Sequence, residues 1–449
     1  MLFGTSGIRD FYGTKITPEF AMTIANVFAQ RGENIAIATD MRETSELLKN
    51  AVISGVLAKG ANAIELGEIP TPTLAYYTKQ KNGKGIMITA SHNPSEYNGL
   101  KIYRNGREVS KNEEKQIEKK FTKGMKLCEW DEAGELLQYP NAIHDHINMI
   151  LKTVNKTKIK NTKIKVVVDT NGVGTVIAQK LFSELGCNVI EINKVKRGFA
   201  RQSEPNDKNL SDLKKKVIET NAHLGIGMDG DGDRAIIVDE KGKLLGLDVQ
   251  LAIAIEHELS HKKGIVKSGA AEGTKGTIIS TVECSVLIKE TINKNNGKNI
   301  IVSVGSTNIS DAMEKNCESI FGGEPAGEYI FKNGVNTPDG ILVAAKFLEI
   351  FAEKGKLSEL KKNYKIYPIL REKFKCANKK KAMEKILKTL SLGGIRNMID
   401  GIREDFEDGF VLVRQSGTEN AIRLTAEFKD RKRLDEMIKK VRKIIARVL

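Results

Sequence analysis

Residues 229–234 read Asp229-Gly230-Asp231-Gly232-Asp233-Arg234, with a carboxylate at every second position, glycines between them and an arginine at the end. Alternating acids on an extended or tightly turned backbone point to one side, and the glycines let the chain bend without a Cβ penalty. Ionised carboxylates about 4 Å apart repel by roughly 4 kcal/mol per pair at an effective dielectric of about 20. A positive charge must therefore sit among them, and a hard divalent cation suits oxygen donors. The flanks Leu224–Met228 and Ala235–Asp239 read as short strands, which puts the acids at a turn between strands. An EF-hand calcium loop spaces its leading acids the same way, and Glu240 even falls where its last acid would. Arg234, however, takes the place of the glycine that such a loop requires, and the flanks are not helical. Few protein ligands beside an arginine suit magnesium shared with a phosphate, and Asp229, Asp231 and Asp233 are the candidate ligands.

Other polar loops bear groups of matching chemistry. The strand Gly85–Thr89 runs into Ala90-Ser91-His92-Asn93-Pro94-Ser95-Glu96-Tyr97-Asn98-Gly99-Leu100-Lys101. The C-terminal end of a parallel strand is where α/β proteins place their sites. Ser91 offers a loop hydroxyl able to accept a phosphoryl group, with His92 and Lys101 nearby; the plainer reading is a Ser/Asn turn ending in Pro94. Gly322–Ile330 is a glycine-rich loop in which exposed backbone beside Glu324 suits sugar hydroxyls, or is simply a loop. Arg414-Gln415-Ser416-Gly417-Thr418-Glu419-Asn420, with Arg423 on the next strand, makes an anion cradle or else a solvated hairpin turn. Gly172-Val173-Gly174 imitates a dinucleotide fingerprint, but Ile177 stands where close packing wants glycine or alanine. No Walker loop occurs, and the histidines form no zinc set.

The elements that must position these loops alternate strand, turn, helix, strand. Asn34–Thr39, helix Ser45–Ala58, a strand from Ala63 and a helix near 110–123 are followed by restarts at Lys165–Asp169 and near helix 248–260. Such alternation argues for α/β domains with mixed or largely parallel sheets. The last ninety or so residues read differently, as helix 379–390, strands 410–414 and 421–427 and helix 431–447, a smaller α+β unit. Boundaries fall at 1–150, 151–247, 248–360 and 361–449, each holding one of the loops above.

Composition narrows the field. No apolar run reaches the roughly 20 residues needed to span a bilayer, and Met1-Leu2-Phe3-Gly4 opens no signal peptide. The cysteines are scattered and form no CxxC pair, as expected in a reducing cytoplasm. The net charge of +15 invites a nucleic-acid reading. The lysines, however, are spread through helices and no basic run is interleaved with aromatics, so an enzyme for phosphorylated metabolites fits as well and no nucleic-acid or membrane partner is expected.

Taken in order, Phe3-Gly4-Thr5-Ser6-Gly7-Ile8-Arg9, Thr89–Lys101, Arg201 with Glu204-Pro205-Asn206, Asp229–Arg234, Gly323–Gly327 and Arg414–Glu419 resemble the α-D-phosphohexomutase family from end to end. The resemblance implies three similar α/β domains and a smaller C-terminal one around a central cleft. It implies that Ser91 carries a phosphoryl group, that Asp229, Asp231 and Asp233 hold magnesium with that phosphate, and that Arg234 steadies it. Glu324 would read sugar hydroxyls, and Arg414, Ser416, Gly417, Thr418 and Arg423 would grip the substrate's distal phosphate. Arg9 and Lys101 are the acid–base candidates, with a purely electrostatic role open to either. The activity implied is phosphoryl transfer between C6 and C1 of a phosphosugar through a sugar 1,6-bisphosphate.

Gly323–Gly327 and Thr337-Pro338-Asp339-Gly340 look most like the archaeal phosphoglucosamine mutase branch, which interconverts glucosamine 6-phosphate and glucosamine 1-phosphate. Ala326, Glu328 and Ser303 depart from common family patterns, which leaves phosphomannomutase and phosphoglucomutase activities as alternatives. A magnesium-dependent phosphatase and a basic nucleic-acid binder are the more distant ones. Monomer and homo-oligomer both stay open.

Overall fold

The computed structural model describes residues 2–261, 275–417 and 420–449. They divide into two compact units, Met1–Gln250 with Ala326–Lys361, and Leu251–Pro325 with Lys362–Leu449.

In the first unit, apolar runs make strands buried on both faces. Asn34–Thr39 lies parallel to Lys84–Ile88 on one side and to Asn62–Glu68 on the other, with Leu136–Gln138 at the edge. On the other side Tyr97–Arg104 runs antiparallel to Lys84–Ile88 and to Ile8–Phe11, which ends the sheet. Helices Pro18–Phe28, Ser45–Leu57 and Lys111–Phe121 cover one face of this sheet, burying Ile24, Val52 and Ile117 against Ile86 and Leu100. Helices Thr71–Gln80 and Ala142–Thr153 cover the other, around Leu74, Ala142 and Met87. A second sheet orders Ala235–Val238, Leu224–Met228, Lys165–Asp169 and Asn188–Ile192, antiparallel in its first pair and parallel in the rest. Because the parallel strands share a direction, the segments after Thr39, Glu68 and Ile88 leave the first sheet on one edge, the carboxyl edge where ligands bind such sheets.

Helix Gly340–Lys354 belongs to this unit and fixes one wall of the acidic loop. Asp339 caps it, accepting the Leu342 N–H on Oδ1 at 2.9 Å, while its Oδ2 meets His146 Nε2 at 2.9 Å. His146 Nδ1 in turn meets Thr73 Oγ1 at 2.8 Å, and Thr73, His146 and Asp339 are fully buried. The cap sets Gly340 directly against the acidic loop, its N–H donating to the Gly232 carbonyl at 3.2 Å. A Cβ at 340 would lie 2.5 Å from the Arg234 carbonyl carbon and oxygen, closer than real contacts allow. Gly340→Ala is therefore expected to cost about 1–3 kcal/mol of stability, as overpacking does. It should also weaken magnesium binding, because the loop must shift. Chemical denaturation and calorimetric titration with magnesium check both.

In the second unit, Lys298–Val302, Thr277–Thr281 and Ser319–Glu324 run parallel, with helices Val286–Lys294 and Ser306–Lys315 between them in the chain. The C-terminal segment forms an antiparallel sheet in the order Ile369–Lys375, Ala421–Phe428, Gly409–Gln415, Ile402–Phe406, Ile395–Asn397. Helices Lys379–Thr389 and Arg431–Val448 pack on one face of it. The last helix buries Leu434, Met437, Ile438, Val441 and Ile445, the three-and-four spacing of an amphipathic helix. Asp430 caps it by accepting from the Arg433 N–H at 2.9 Å. The architecture is thus the expected one, α/β domains with mixed and parallel sheets followed by a smaller α+β domain. Among the described residues no helix is long and apolar enough to cross a membrane.

Candidate active site

The acidic loop is the six-residue connection of an antiparallel hairpin whose last paired residues are Met228 and Ala235. Gly232, at φ +71°, makes the turn in a conformation that disfavours side chains. Asp229 and Asp231 are fully buried and Asp233 nearly so, and one oxygen from each carboxylate lies within 4.8 Å of the others. Lys101, itself buried on strand Tyr97–Arg104, sets its Nζ 2.8 Å from Asp231 Oδ2 and 2.6 Å from Asp233 Oδ2. Thr71 adds a bond from Oγ1 to Asp231 Oδ2 at 2.7 Å, and its N–H donates to the Asp231 carbonyl at 2.9 Å.

One ammonium does not balance three carboxylates, and the charge states show it. Burial, with Asp233 and Asp231 adjacent, pushes the Asp229 carboxyl well above its ordinary range. Asp233 is raised by burial and by Asp231. Burial pushes the Asp231 carboxyl up, but Lys101, the Thr71 hydrogen bond and Arg9 together hold it below its usual value. Burial pulls the Lys101 pKa down, but Asp231 and Asp233 overcome it and hold the ammonium well above its ordinary pKa. Two carboxylate oxygens, Asp231 Oδ1 and Asp233 Oδ1, are buried with no hydrogen-bond partner among the described residues. Orphaned hard oxygens beside a third carboxylate are the donor set of a divalent oxygen-seeking cation, so the residues fit magnesium. Such an ion would lower all three carboxyl pKa values.

Ser91 meets this cluster directly. Its Oγ donates to Asp229 Oδ2 at 3.0 Å. A polar loop is expected to face solvent, but Ser91 is 1% exposed, because the loop folds inward onto the acidic hairpin. Its φ of +50° is a conformation that costs a non-glycine residue of order 1–3 kcal/mol and persists only where the surroundings impose it. The neighbouring His92 is half-buried, and Arg234, then burial and Arg9, push its imidazole well below the ordinary pKa, which leaves it neutral. Arg234 forms an ion pair with Glu328 and lies 4.0 Å from Asp233, while its N–H donates to Asp229 Oδ1 at 3.1 Å. Arg9 Nη2 donates to Ser6 Oγ at 3.0 Å, and Ser6 passes a bond to the buried Glu108 at 2.7 Å. The Arg9 Nε is buried with no partner among the described residues.

Residues to which the sequence assigned no role complete the arrangement. Ser203 Oγ donates to the Ser91 carbonyl at 2.8 Å and accepts the Gly230 N–H at 2.9 Å, joining the serine loop to the acidic loop. Arg201 braces the base of that loop, with Nε on Asp169 at 2.8 Å and Nη2 on the Met228 carbonyl at 2.7 Å. Thr71 had a signal that went unused: it opens the segment after a parallel strand, the same rule that singled out Ser91. Ser203 sits in an ordinary context and had none, while Glu328 stood out in the sequence only as a departure from the family pattern.

In the second unit, Glu324 ends strand Ser319–Glu324, and its Oε2 accepts the Gly305 N–H at 3.1 Å. Arg414 and Arg423 face each other across adjacent strands. Like charges so placed repel. Glu283, 2.9 Å from Arg414, offsets this in part, with Asp400 at 3.9 Å. Arg423 Nε donates to Ser416 Oγ at 3.3 Å, and Gly417 lies exposed in the turn. Thr418 lies outside the described residues.

Comparison with known proteins agrees along the whole chain. Models of phosphoglucomutase/phosphomannomutase α/β/α domains I, II and III match residues 1–127, 144–242 and 248–367, and the model of the C-terminal domain matches 372–444. A probable phosphoglucosamine mutase of Methanosarcina acetivorans is 38% identical, covering 100% of this chain and 99% of its own. A solved phosphoglucomutase/phosphomannomutase family protein of Burkholderia thailandensis shares the fold with a TM-score of 0.85 at 24% identity, covering 100% of this chain and 97% of that one. An Aspergillus fumigatus N-acetylphosphoglucosamine mutase, solved with GlcNAc-6P and magnesium, gives a TM-score of 0.65 at 16% identity, covering 99% of this chain and 95% of that one. With its four domains matched in order and a relative this similar over its full length, the chain belongs to the phosphoglucomutase/phosphomannomutase family.

Proposed function

We propose that the protein is a magnesium-dependent phosphosugar mutase that interconverts glucosamine 6-phosphate and glucosamine 1-phosphate. The observation that carries this reading is the buried Ser91 hydroxyl 3.0 Å from Asp229, at an acidic cluster with orphaned oxygens. The sugar is supported by the name that the archaeal relative bears and by the match of its whole length.

Phosphoryl transfer needs charge neutralisation and in-line placement more than covalent activation. Magnesium held by Asp229, Asp231 and Asp233 would supply the neutralisation when bound. Ser91 Oγ holds the phosphoryl group and gives it to the free hydroxyl of a sugar monophosphate. The serine P–O bond breaks as the sugar P–O bond forms, the sugar hydroxyl's proton ends on the departing Ser91 Oγ, and a sugar 1,6-bisphosphate results. Return of the other phosphate to Ser91 completes the cycle and leaves the isomer. Arg234 neutralises the group in transit, and Arg9 and Lys101 place further positive charge at the reacting end. Arg414, Ser416, Gly417, Thr418 and Arg423 hold whichever phosphate is not reacting, and Glu324 reads the sugar hydroxyls. The shielded position of Ser91 suits a mutase, whose phosphoserine must outlast attack by water. The scattered free cysteines accord with work in the cytoplasm.

The test is turnover of glucosamine, mannose and glucose 6-phosphates, each with magnesium and a catalytic amount of the matching 1,6-bisphosphate. Isomerisation is expected in all three, fastest with glucosamine 6-phosphate. A faster mannose or glucose reaction changes the sugar and keeps the machinery. Release of inorganic phosphate without isomerisation makes the protein a phosphatase, and no turnover with steeply salt-dependent binding to generic DNA makes it a nucleic-acid binder.

A further inference from the structure

We infer that Arg42 is a positioning residue for the phosphoryl-transfer step, clamping the Ser91 loop in its reactive shape; this rests on the mutase reading above. Its side chain is wholly shielded from solvent, and each of its N–H groups has an acceptor. Nε donates to Asp40 Oδ2 at 3.0 Å. Nη1 donates to the carbonyls of Pro94 at 2.6 Å and Tyr97 at 2.8 Å, and Nη2 to those of Ser91 and Asn93, both at 2.7 Å. A guanidinium has five N–H donors in a rigid fork, so this one is saturated, four of its bonds going to a single loop.

The loop needs such a clamp. Its own backbone bonds are few, Asn93 N–H to the Ala90 carbonyl at 3.1 Å and Tyr97 N–H to the Pro94 carbonyl at 3.1 Å. It must still hold Ser91 at a positive φ, which relaxes unless contacts over-determine it. The clamp is itself fixed on every side. Asp40 accepts from Thr89 Oγ1 at 2.7 Å and Ser45 Oγ at 2.8 Å, and Thr89 Oγ1 accepts the Ser91 N–H at 2.8 Å. The Phe199 ring lies 5.0 Å from the guanidinium, and a Cβ on Gly230 would meet that same ring. Arg42 therefore ties the serine loop to the acidic loop through Phe199, alongside the Ser203 link. All its donors go to Asp40 and backbone carbonyls and none to the Ser91 hydroxyl, so it acts through the loop rather than on the phosphoryl group.

The test compares wild type, Arg42→Lys and Arg42→Ala by three measurements. They are the rate at which Ser91 takes a phosphoryl group from a sugar 1,6-bisphosphate (intact mass), kcat and KM for the sugar monophosphate, and amide hydrogen exchange across 91–97. A lysine keeps the charge but has three N–H groups on one atom and cannot reach the spread of carbonyls. In Arg42→Lys, phosphoryl uptake and kcat are expected to fall by about 100-fold or more, as a misplacement of about 1 Å does. Its KM should stay within about threefold, since ground-state binding is untouched. Exchange should rise in 91–97 and not elsewhere. Added guanidinium ion should restore at least about a tenth of the lost rate in Arg42→Ala by refilling the pocket.

The inference is overturned if Arg42→Lys keeps loop protection and kcat within about threefold of wild type. It is equally overturned if exchange rises throughout the domain and guanidinium restores nothing, which would make the role structural only. If wild type takes no phosphoryl group from any bisphosphate, the mutase reading falls, while exchange in 91–97 still decides whether Arg42 clamps the loop.

Discussion

Ser91→Ala is expected to be folded and inactive, with turnover reduced at least about 10⁴-fold, the scale seen when a nucleophile of a cooperating set is removed. The rest of the machinery stays in place, but no covalent carrier is left for the group that must leave one end of the sugar and reach the other. Burial makes the substitution less innocent than a surface change. The hydroxyl donates to Asp229 Oδ2, and alanine leaves that oxygen short of a donor. The expected cost is about 1–2 kcal/mol, that of one lost hydrogen bond at a buried acceptor. The positive φ at this position burdens alanine as it does serine, so it adds nothing to the difference. The measurement is intact mass after incubation with the sugar 1,6-bisphosphate, alongside turnover. Wild type should gain one phosphoryl group and the variant none. A variant that keeps more than about a hundredth of wild-type turnover would rule out a phosphoserine mechanism.

Lys101→Met is expected to show the largest change in stability. The ammonium is completely buried between Asp231 and Asp233, so the variant removes the contacting cation from both and leaves Asp233 only Arg234, 4.0 Å away. Breaking one side of a buried ion pair costs about 3–5 kcal/mol. That cost should be read in the presence of a chelator, where no ion replaces the lysine. Magnesium should restore part of it, since a ligand at 100 times its Kd adds about 2.7 kcal/mol to the folded state. The magnesium-induced rise in melting temperature should thus be larger in Lys101→Met than in wild type, although turnover falls by about 100-fold or more because a preorganised cation is gone. Thermal melts with and without magnesium give the answer. Equal stability of variant and wild type in chelator would mean that the two ion pairs contribute nothing to folding.

Several elements were legible in the chain because they are dense local patterns. The run Lys165–Asp169 reads as a doubly buried strand because three consecutive valines leave no solvent face. The last helix reads from its spacing alone. Strand Ile369–Lys375 escaped notice because Leu370 and Phe374 are its only apolar inward residues among exposed Arg371, Lys373 and Lys375. Strand Ile395–Asn397 is a short, exposed edge with no inward pattern to read.

The same division runs through the site. The amino-acid sequence by itself determined the chemistry: alternating acids closed by an arginine, a serine after a parallel strand, two arginines around a turn. Those groups are neighbours along the chain or sit where α/β topology always places sites. What only the tertiary structure decided is the set of single residues that converge from far away. Arg42 reaches the carbonyls of residues 91–97, Ser203 links the Ser91 carbonyl to Gly230, Thr71 bonds Asp231, and Glu328 pairs with Arg234. Local context gives none of these pairings, because each partner lies dozens of residues away along the chain. The burial of Ser91 belongs to this second class, because whether a loop faces solvent or another loop depends on what the rest of the chain packs against it.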